Sequence, residues 1–313
     1  MRSRVVRMVA PRKVVLDEED VPEPGDEEVL VRVKACGICR SDLHTYEGVR
    51  PVRLPAVLGH EAAGTVAAVG DGVDELKPGD KVTVLGGRFG EYVVVPRTRV
   101  EKIPGDVEDY ACWISEPVTC AVNGLKASGI QPGDKVCVVG CGYMGLLLIQ
   151  GMPRRWIETL VALDINEMKL RLAEKYGADY ALNPRRTGIK EILEHLGGHA
   201  DVVIEAAGVP GTIEMATRLV KKRGTLVIFG FHARPEETPT DEWHVKGLRI
   251  LNPSPPYSPD ILEDFRDAVR LMRRGVFHQE ELITHRFHYT EAQEALETAL
   301  KRPKDYIKGV MTF

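Results

Sequence analysis

Between Cys36 and Glu61 the sequence CGICRSDLHTYEGVRPVRLPAVLGHE gathers two thiols, two imidazoles, a Ser-Asp pair and a His-Glu pair. These are side-chain types that could hold and serve a metal of borderline softness. A catalytic zinc takes about three protein ligands from Cys, His and acidic residues and keeps one position open. Cys39 and His60 offer two of the three. Cys36 and Cys39 also form a C-x-x-C pair, which in another setting would read as a redox dithiol. The segment is rich in strand formers and lacks the βαβ context of such pairs, so Cys36 reads as a small buried residue.

A second stretch carries different chemistry. Gly140-Cys141-Gly142-Tyr143-Met144-Gly145 fits G-x-G-x-x-G, directly after the apolar run KVCVV and opening the helix-forming run MGLLLIQGM. In that context the first glycine allows a tight turn and the second lets a pyrophosphate reach the backbone. The third lets helix pack closely on strand, and the phosphates meet the helix N-terminus. Asp164 closes the next apolar run, TLVALD, where an acid accepts hydrogen bonds from an adenosine ribose and repels a 2′-phosphate. The expected cofactor is NAD rather than NADP. Its contacts are Gly140, Gly142, Tyr143, Met144, Gly145 and Asp164, with Lys169 in the helix that follows. Cys137 and Cys141 flank the turn as packing residues.

The elements that must position these groups fall into two regimes. VVRMVA, EVLVRVKACG, GTVAAVG, DKVTVL and GEYVVVP are short, Val-rich and bounded by Gly, Pro and Asp, so residues 5–100 read as all-β. SDLHTYEG is the exception, a short helical turn with Ser41 or Asp42 near its cap. From about residue 116 strands alternate with helical patterns through DVVIEAAG and TLVIFGF, the pattern of a parallel α/β sheet. The amphipathic runs ILEDFRDAVRLMRRG and EAQEALETALKR follow. YIKGVMTF is a closing strand that returns to the first domain, dividing the chain into 1–118 plus 275–313 and 119–274.

With 313 residues, 43% hydrophobic and 28% charged, the chain has a globular composition and room for two domains. A net charge of −4 gives no reason to expect nucleic acid or an anionic membrane as partner. The longest aliphatic run, LLLI at 146–149, is too short to cross a bilayer, and MRSRVVRMVAPRK lacks the apolar run of a signal peptide. The expected location is the cytoplasm. Six cysteines without a disulfide spacing fit reduced thiols or metal ligands.

Together, GICRSDLH (37–44), GHE (59–61), GEYVVVP (90–96) and VCVVGCGYMG with ALD resemble the medium-chain, zinc-dependent alcohol and polyol dehydrogenases, over nearly the whole chain. The resemblance implies an α/β fold class: a Rossmann doubly wound parallel sheet plus a β-rich GroES-like catalytic domain. It makes Cys39 and His60 zinc ligands, Asp42 the carboxylate orienting His60, Ser41 the partner of the substrate hydroxyl and His44 the carrier of its proton. Glu61 would sit beside the metal as an occasional ligand, and Arg40 and Lys308 would meet the cofactor pyrophosphate. Glu116 matches the position where polyol-type members carry Glu and others Cys, and is the expected third ligand. Cys120, on the same helix face, and Cys112 are the alternatives.

Two departures from the family pattern stand out. The lobe with four cysteines for a structural zinc is missing between DKVTVL and GEYVVVP, so one catalytic zinc per chain is expected. The segment 241–259 has no counterpart in the common pattern. Its Trp243 and Tyr257, and the earlier Tyr46, are candidates for a substrate pocket or for plain packing. His195, His199, His232, His244, His278, His285 and His288 lack ligand spacing and read as structural. By resemblance the activity is NAD-dependent interconversion of a secondary alcohol or polyol and its ketone, in a cleft between the domains, by a homodimer or homotetramer. A zinc-free quinone or enoyl reductase and a non-catalytic NAD-binding protein are the alternatives.

Overall fold

The computed structural model describes residues 2–313 and divides into two units. The first comprises the chain up to Thr119 together with Leu262–Phe313. Its strands are β1 (Arg2–Ala10), β2 (Lys13–Asp20), β3 (Glu28–Gly37), β4 (Ala56–Val57), β5 (Glu61–Val69), β6 (Lys81–Val84), β7 (Tyr92–Pro96) and β8 (Val100–Lys102). The C-terminal segment adds β15 (Ile283–His288) and β16 (Lys308–Thr312). Strand β3 is the spine: in the order β15-β16-β3-β5-β6-β8 it pairs antiparallel with β16 and β5, and also with β7. Val29, Val31, Val33, Ala35 and Cys36 are essentially fully buried, so β3 holds its place by apolar burial. Each fully buried Val contributes about 1.5–3 kcal/mol relative to exposure.

The closing strand behaves as its sequence suggests. β16 sets Val310 opposite Gly37 and Met311 opposite Cys36, so the last residues of the chain lie beside the start of the Cys39 segment. Helix α8 (Ile261–Arg273) belongs to this unit from Leu262 on, so the second crossing falls at 262 where 275 was expected. Phe265, Ala268, Val269 and Met272 give it a buried face, and Arg273 donates to the Lys102 carbonyl.

The second unit, Cys120–Ile261, carries β9 (Lys135–Val139), β10 (Thr159–Leu163), β11 (Tyr180–Leu182), β12 (Ala200–Glu205), β13 (Val220–Ile228) and β14 (Arg249–Leu251). All pairings are parallel, in the order β11-β10-β9-β12-β13-β14. The connections include α3 (Tyr143–Gly151), α4 (Glu167–Lys175), α5 (Ile189–His195) and α6 (Thr212–Leu219). The order reverses at β9, so the crevice at its carboxyl end is where such sheets take ligands. The unexplained segment supplies α7 (Thr240–Lys246) and the sixth strand, β14. Among the described residues no helix is long and apolar enough to cross a membrane.

Candidate active site

Helix α1 (Arg40–Tyr46) begins where β3 ends. Its cap is Cys39, in extended conformation, with Ser41 and Asp42 beside it in the first turn. Asp42, at the third helical position, reaches back so that Cys39 N–H donates to Oδ2 at 3.0 Å. Asp42 is only 5% exposed, and its Oδ1 accepts from Gly59 N–H at 3.0 Å and lies 3.3 Å from His60 Nδ1. One buried carboxylate therefore fixes both the helix start that carries Cys39 and the turn that carries His60. Burial pushes the His60 pKa down, but Asp42 and the neighbouring Cys39 outweigh it and hold it raised.

Glu61 is the first residue of β5 and faces Gly37 across the ladder. A Cβ at Gly37 would fall 1.9 Å from Glu61 Oε2, so glycine there is what lets the carboxylate in. Lys308, at the start of β16, brings Nζ to 2.5 Å from the same oxygen, with both side chains almost fully buried. Burial opposes the Lys308 charge, yet Glu61 and then Cys39 keep its pKa raised. Lys308, which the resemblance puts at the cofactor pyrophosphate, is paired here with Glu61.

The donor atoms of Cys39, His60 and Glu61 all lie within 4.8 Å of one another. Among the described residues no other group of three His, Cys, Asp or Glu does so. Glu61 Oε2 is the oxygen that meets Lys308 Nζ. A thiol sulfur, an imidazole nitrogen and a carboxylate oxygen at this spacing, with the imidazole backed by a carboxylate, fit zinc. Glu116 opens α2 (Glu116–Ser128) half-buried and is not part of the trio. Cys112 is buried, its thiol donates to Asp109 at 3.1 Å, and burial followed by Asp109 pushes its pKa up to about 12. Cys120 is half-buried one helical turn after Glu116. Cys36 is fully buried, and burial drives its pKa up, as suits a packing residue.

The rest of α1 faces a pocket lined by Arg40, Leu43, His44, Glu47, Leu300 and Arg302. Arg40 Nε donates to His44 Nε2 at 3.4 Å. Burial and then the Arg40 charge lower the His44 pKa, favouring the neutral imidazole that a proton carrier needs. Ser41 is half-buried on the same helix. Tyr46 is fully buried, with its hydroxyl donating to the Arg12 carbonyl at 2.9 Å, so it packs rather than lining a pocket.

In the second unit the glycine turn has the geometry its motif requires. Gly140 has φ 101°, and a Cβ there would lie 2.7 Å from Ala207 N. A Cβ at Gly145 would lie 1.9 Å from the Gly140 carbonyl oxygen, whereas one at Gly142 would meet nothing within 4 Å. Gly142 thus faces open space, where the motif admits a phosphate. Asp164 Oδ2 accepts from Cys141 N–H and Oδ1 from Asn166 N–H, both at 2.8 Å, tying the acid to the turn itself. Tyr143 is buried and Met144 half-buried at the start of α3. Trp243 packs on the core of this unit and donates from Nε1 to Thr217 at 2.8 Å, while Tyr257 is 87% exposed.

Comparison with known proteins matches both units to dehydrogenases. Residues 25–105 match the alcohol dehydrogenase GroES-like domain, and residues 144–274 the zinc-binding dehydrogenase family. The starvation-sensing protein RspB of Escherichia coli (strain K12) is 30% identical over 334 residues, covering 97% of each chain. A sorbitol dehydrogenase of Halalkalibacterium halodurans is 29% identical over 319 residues, covering 90% of each. The crystal structure of an alcohol dehydrogenase (rspB) from E. coli CFT073, complexed with NADH, matches with a TM-score of 0.87 at 28% identity, covering 100% of this chain and 99% of that one. With the thiol–imidazole–carboxylate trio in one unit and the glycine turn in the other, the chain belongs to the medium-chain, zinc-binding alcohol and polyol dehydrogenase family.

Proposed function

We propose that the chain is a zinc- and NAD-dependent dehydrogenase interconverting a secondary alcohol or polyol and its ketone, with one zinc per chain and a homo-oligomeric assembly. The carrying observation is the trio Cys39, His60 and Glu61 around a buried Asp42. These three would hold the metal, with Glu116 the remaining candidate ligand. When bound, zinc would supply the Lewis acidity that makes a hydroxyl proton easier to lose, and NAD the hydride acceptor.

The chain's own residues do the rest. Asp42 holds the His60 ring through Nδ1, which leaves Nε2 for the metal. Ser41 accepts the substrate proton and His44, with its lowered pKa, carries it onward. Arg40 adds positive charge to the pocket beside α1, suited to phosphate. Asp164 favours NAD, since its carboxylate beside the turn would repel a 2′-phosphate. A zinc-free reductase has no use for a buried carboxylate locking Cys39 and His60 together, which weighs against that reading.

The test is NADH formation from NAD with primary and secondary alcohols, vicinal diols, sugar alcohols, inositols, aldoses and threonine, with and without a chelator. Chelator-sensitive activity on one hydroxyl class is the expected result. Protein that takes up no zinc, or activity indifferent to its removal, overturns the proposal.

A further inference from the structure

The strongest unexplained feature of the second unit lies beside the glycine turn. Glu205 ends β12 and is fully buried. Its Oε1 accepts from Ala207 N–H, Gly208 N–H and the Thr212 hydroxyl, each at 2.8 Å. Its Oε2 faces His232 Nε2 at 2.9 Å, and His232 Nδ1 forms an ion pair with Glu236. His232 and Glu236 are themselves largely buried, at 13% and 14% side-chain exposure. A carboxylate–imidazole–carboxylate chain therefore links the segment after β12 to the segment after β13.

The segment it fixes is the one the first glycine rests on. Ala206 N–H donates to the Val139 carbonyl at 2.8 Å, and Ala207 lies so close to Gly140 that a Cβ there would be 2.7 Å from its nitrogen. On the other side, Phe229 N–H and Gly230 N–H both donate to the Glu205 carbonyl at 2.8 Å. A Cβ on Gly230 would sit 2.6 Å from Glu205 Oε2. The Glu205 carboxylate is thus held on both oxygens, by two amides and the Thr212 hydroxyl (which also reaches the Val209 carbonyl at 2.7 Å) on Oε1 and by His232 on Oε2. Without His232 a buried carboxylate oxygen loses its partner, and the group must shift, take up a proton or draw in water. Each response disturbs the amides that place Ala207 and Gly208.

We propose that Glu205, His232 and Glu236 form a positioning brace for the dinucleotide turn, in which His232 sets, through Glu205, the seat of Gly140 and hence the affinity for the cofactor pyrophosphate. The proposal rests on the turn being a dinucleotide site. In this proposal His232 is a positioning residue that acts through Glu205.

The experiment titrates the zinc-loaded full chain with NADH and with ADP-ribose, which carries the pyrophosphate but no nicotinamide. Wild type, His232→Phe and His232→Gln are compared, with melting temperature and zinc content measured on each. Loss of the hydrogen bond in His232→Phe is expected to raise Kd for both ligands by about tenfold. His232→Gln, which can still donate to Glu205, recovers most of the loss, and zinc content stays constant. Unchanged Kd in a folded His232→Phe, even with a lowered melting temperature, overturns the brace. So does a loss confined to NADH, which would mean that His232 meets the nicotinamide end directly. If His232→Phe does not fold, Thr212→Val, which removes one hydroxyl from Oε1, is read by the same criteria. Wild-type protein that binds neither ligand refutes the dinucleotide reading, and the brace with it.

Discussion

Replacing Lys308 by Met tests which carboxylate completes the metal site. Lys308 and Glu61 are 4% and 2% exposed and 2.5 Å apart, too deep for solvent to screen. Removing one partner of a buried ion pair leaves the other charge uncompensated, at a cost of about 3–5 kcal/mol. At about 2–4 °C per kcal/mol for a unit of this size, melting falls by roughly 6–20 °C. Zinc changes the outcome if Glu61 is a ligand, because the bound cation then neutralises the stranded carboxylate. Saturating zinc should therefore raise the melting temperature of Lys308→Met by more than that of wild type. A tenfold tighter Kd at fixed zinc is worth about 1.4 kcal/mol of the difference. The double variant Glu61→Gln/Lys308→Met should regain stability without zinc and lose the extra response to it. The assay is thermal unfolding of the four proteins across a zinc titration, with Glu61→Gln completing the cycle. Equal zinc responses in wild type and Lys308→Met, together with unaltered zinc affinity in Glu61→Gln, would refute Glu61 as ligand.

Three further outcomes are expected. Glu116→Gln should retain zinc while Glu61→Gln loses at least tenfold in affinity, as metal analysis after dialysis will show; the reverse order would restore Glu116 as third ligand. The lowered His44 pKa means that the unfolded chain binds its proton first, so this group's stability contribution is present above pH ~6.5 and is lost as pH falls below it. His44→Gln should flatten that dependence in a pH series of melting curves and slow turnover by about 10²-fold or more, and an unchanged acid limb of kcat/KM removes His44 from proton transfer. Asp164→Ala should narrow the preference for NAD over NADP, read as the ratio of kcat/KM values, whereas an unchanged ratio assigns Asp164 to holding the Cys141 and Asn166 amides alone.

The architecture was legible wherever local pattern and burial agree. The continuous apolar run of β9 and the alternation after it announce a parallel sheet, and the Val-rich run of β3 announces a buried strand. Strand β2 left no such mark, since KVVLDEED is mostly exposed and owes its conformation to its ladder with β1. Strand β14, three residues long, owes its place to β13. That Cys39 and His60 come together was legible because both fall in one short stretch. The pairing of Lys308 with Glu61 depends on β16 docking beside β3, which no local spacing encodes. His232 shows the same limit: its partner Glu205 is 27 residues away and belongs to another strand end.

What joins these observations is the use of buried carboxylates to fix chain segments that are distant in sequence. Asp42 accepts from the Cys39 and Gly59 amides and faces His60, so the turns that carry Cys39 and His60 cannot shift independently. Glu205 does the same for the segments after β12 and β13, beside the glycine turn. In each case the side chain is buried and ringed by donors, so deleting one donor leaves a desolvated charge, and the cost is far larger than that of one hydrogen bond in water. That penalty makes a binding geometry single-valued, which an open loop of glycines or a flexible cluster of ligands would not be. Glu61 differs, because its principal partner is a cation rather than a set of fixed amides. A carboxylate held by Lys308 needs a positive charge beside it, whereas Asp42 and Glu205 are met by fixed amides and an imidazole. The same residue type is therefore scaffold where amides surround it, whereas a carboxylate balanced by a lysine is open to the metal test set out for Lys308→Met.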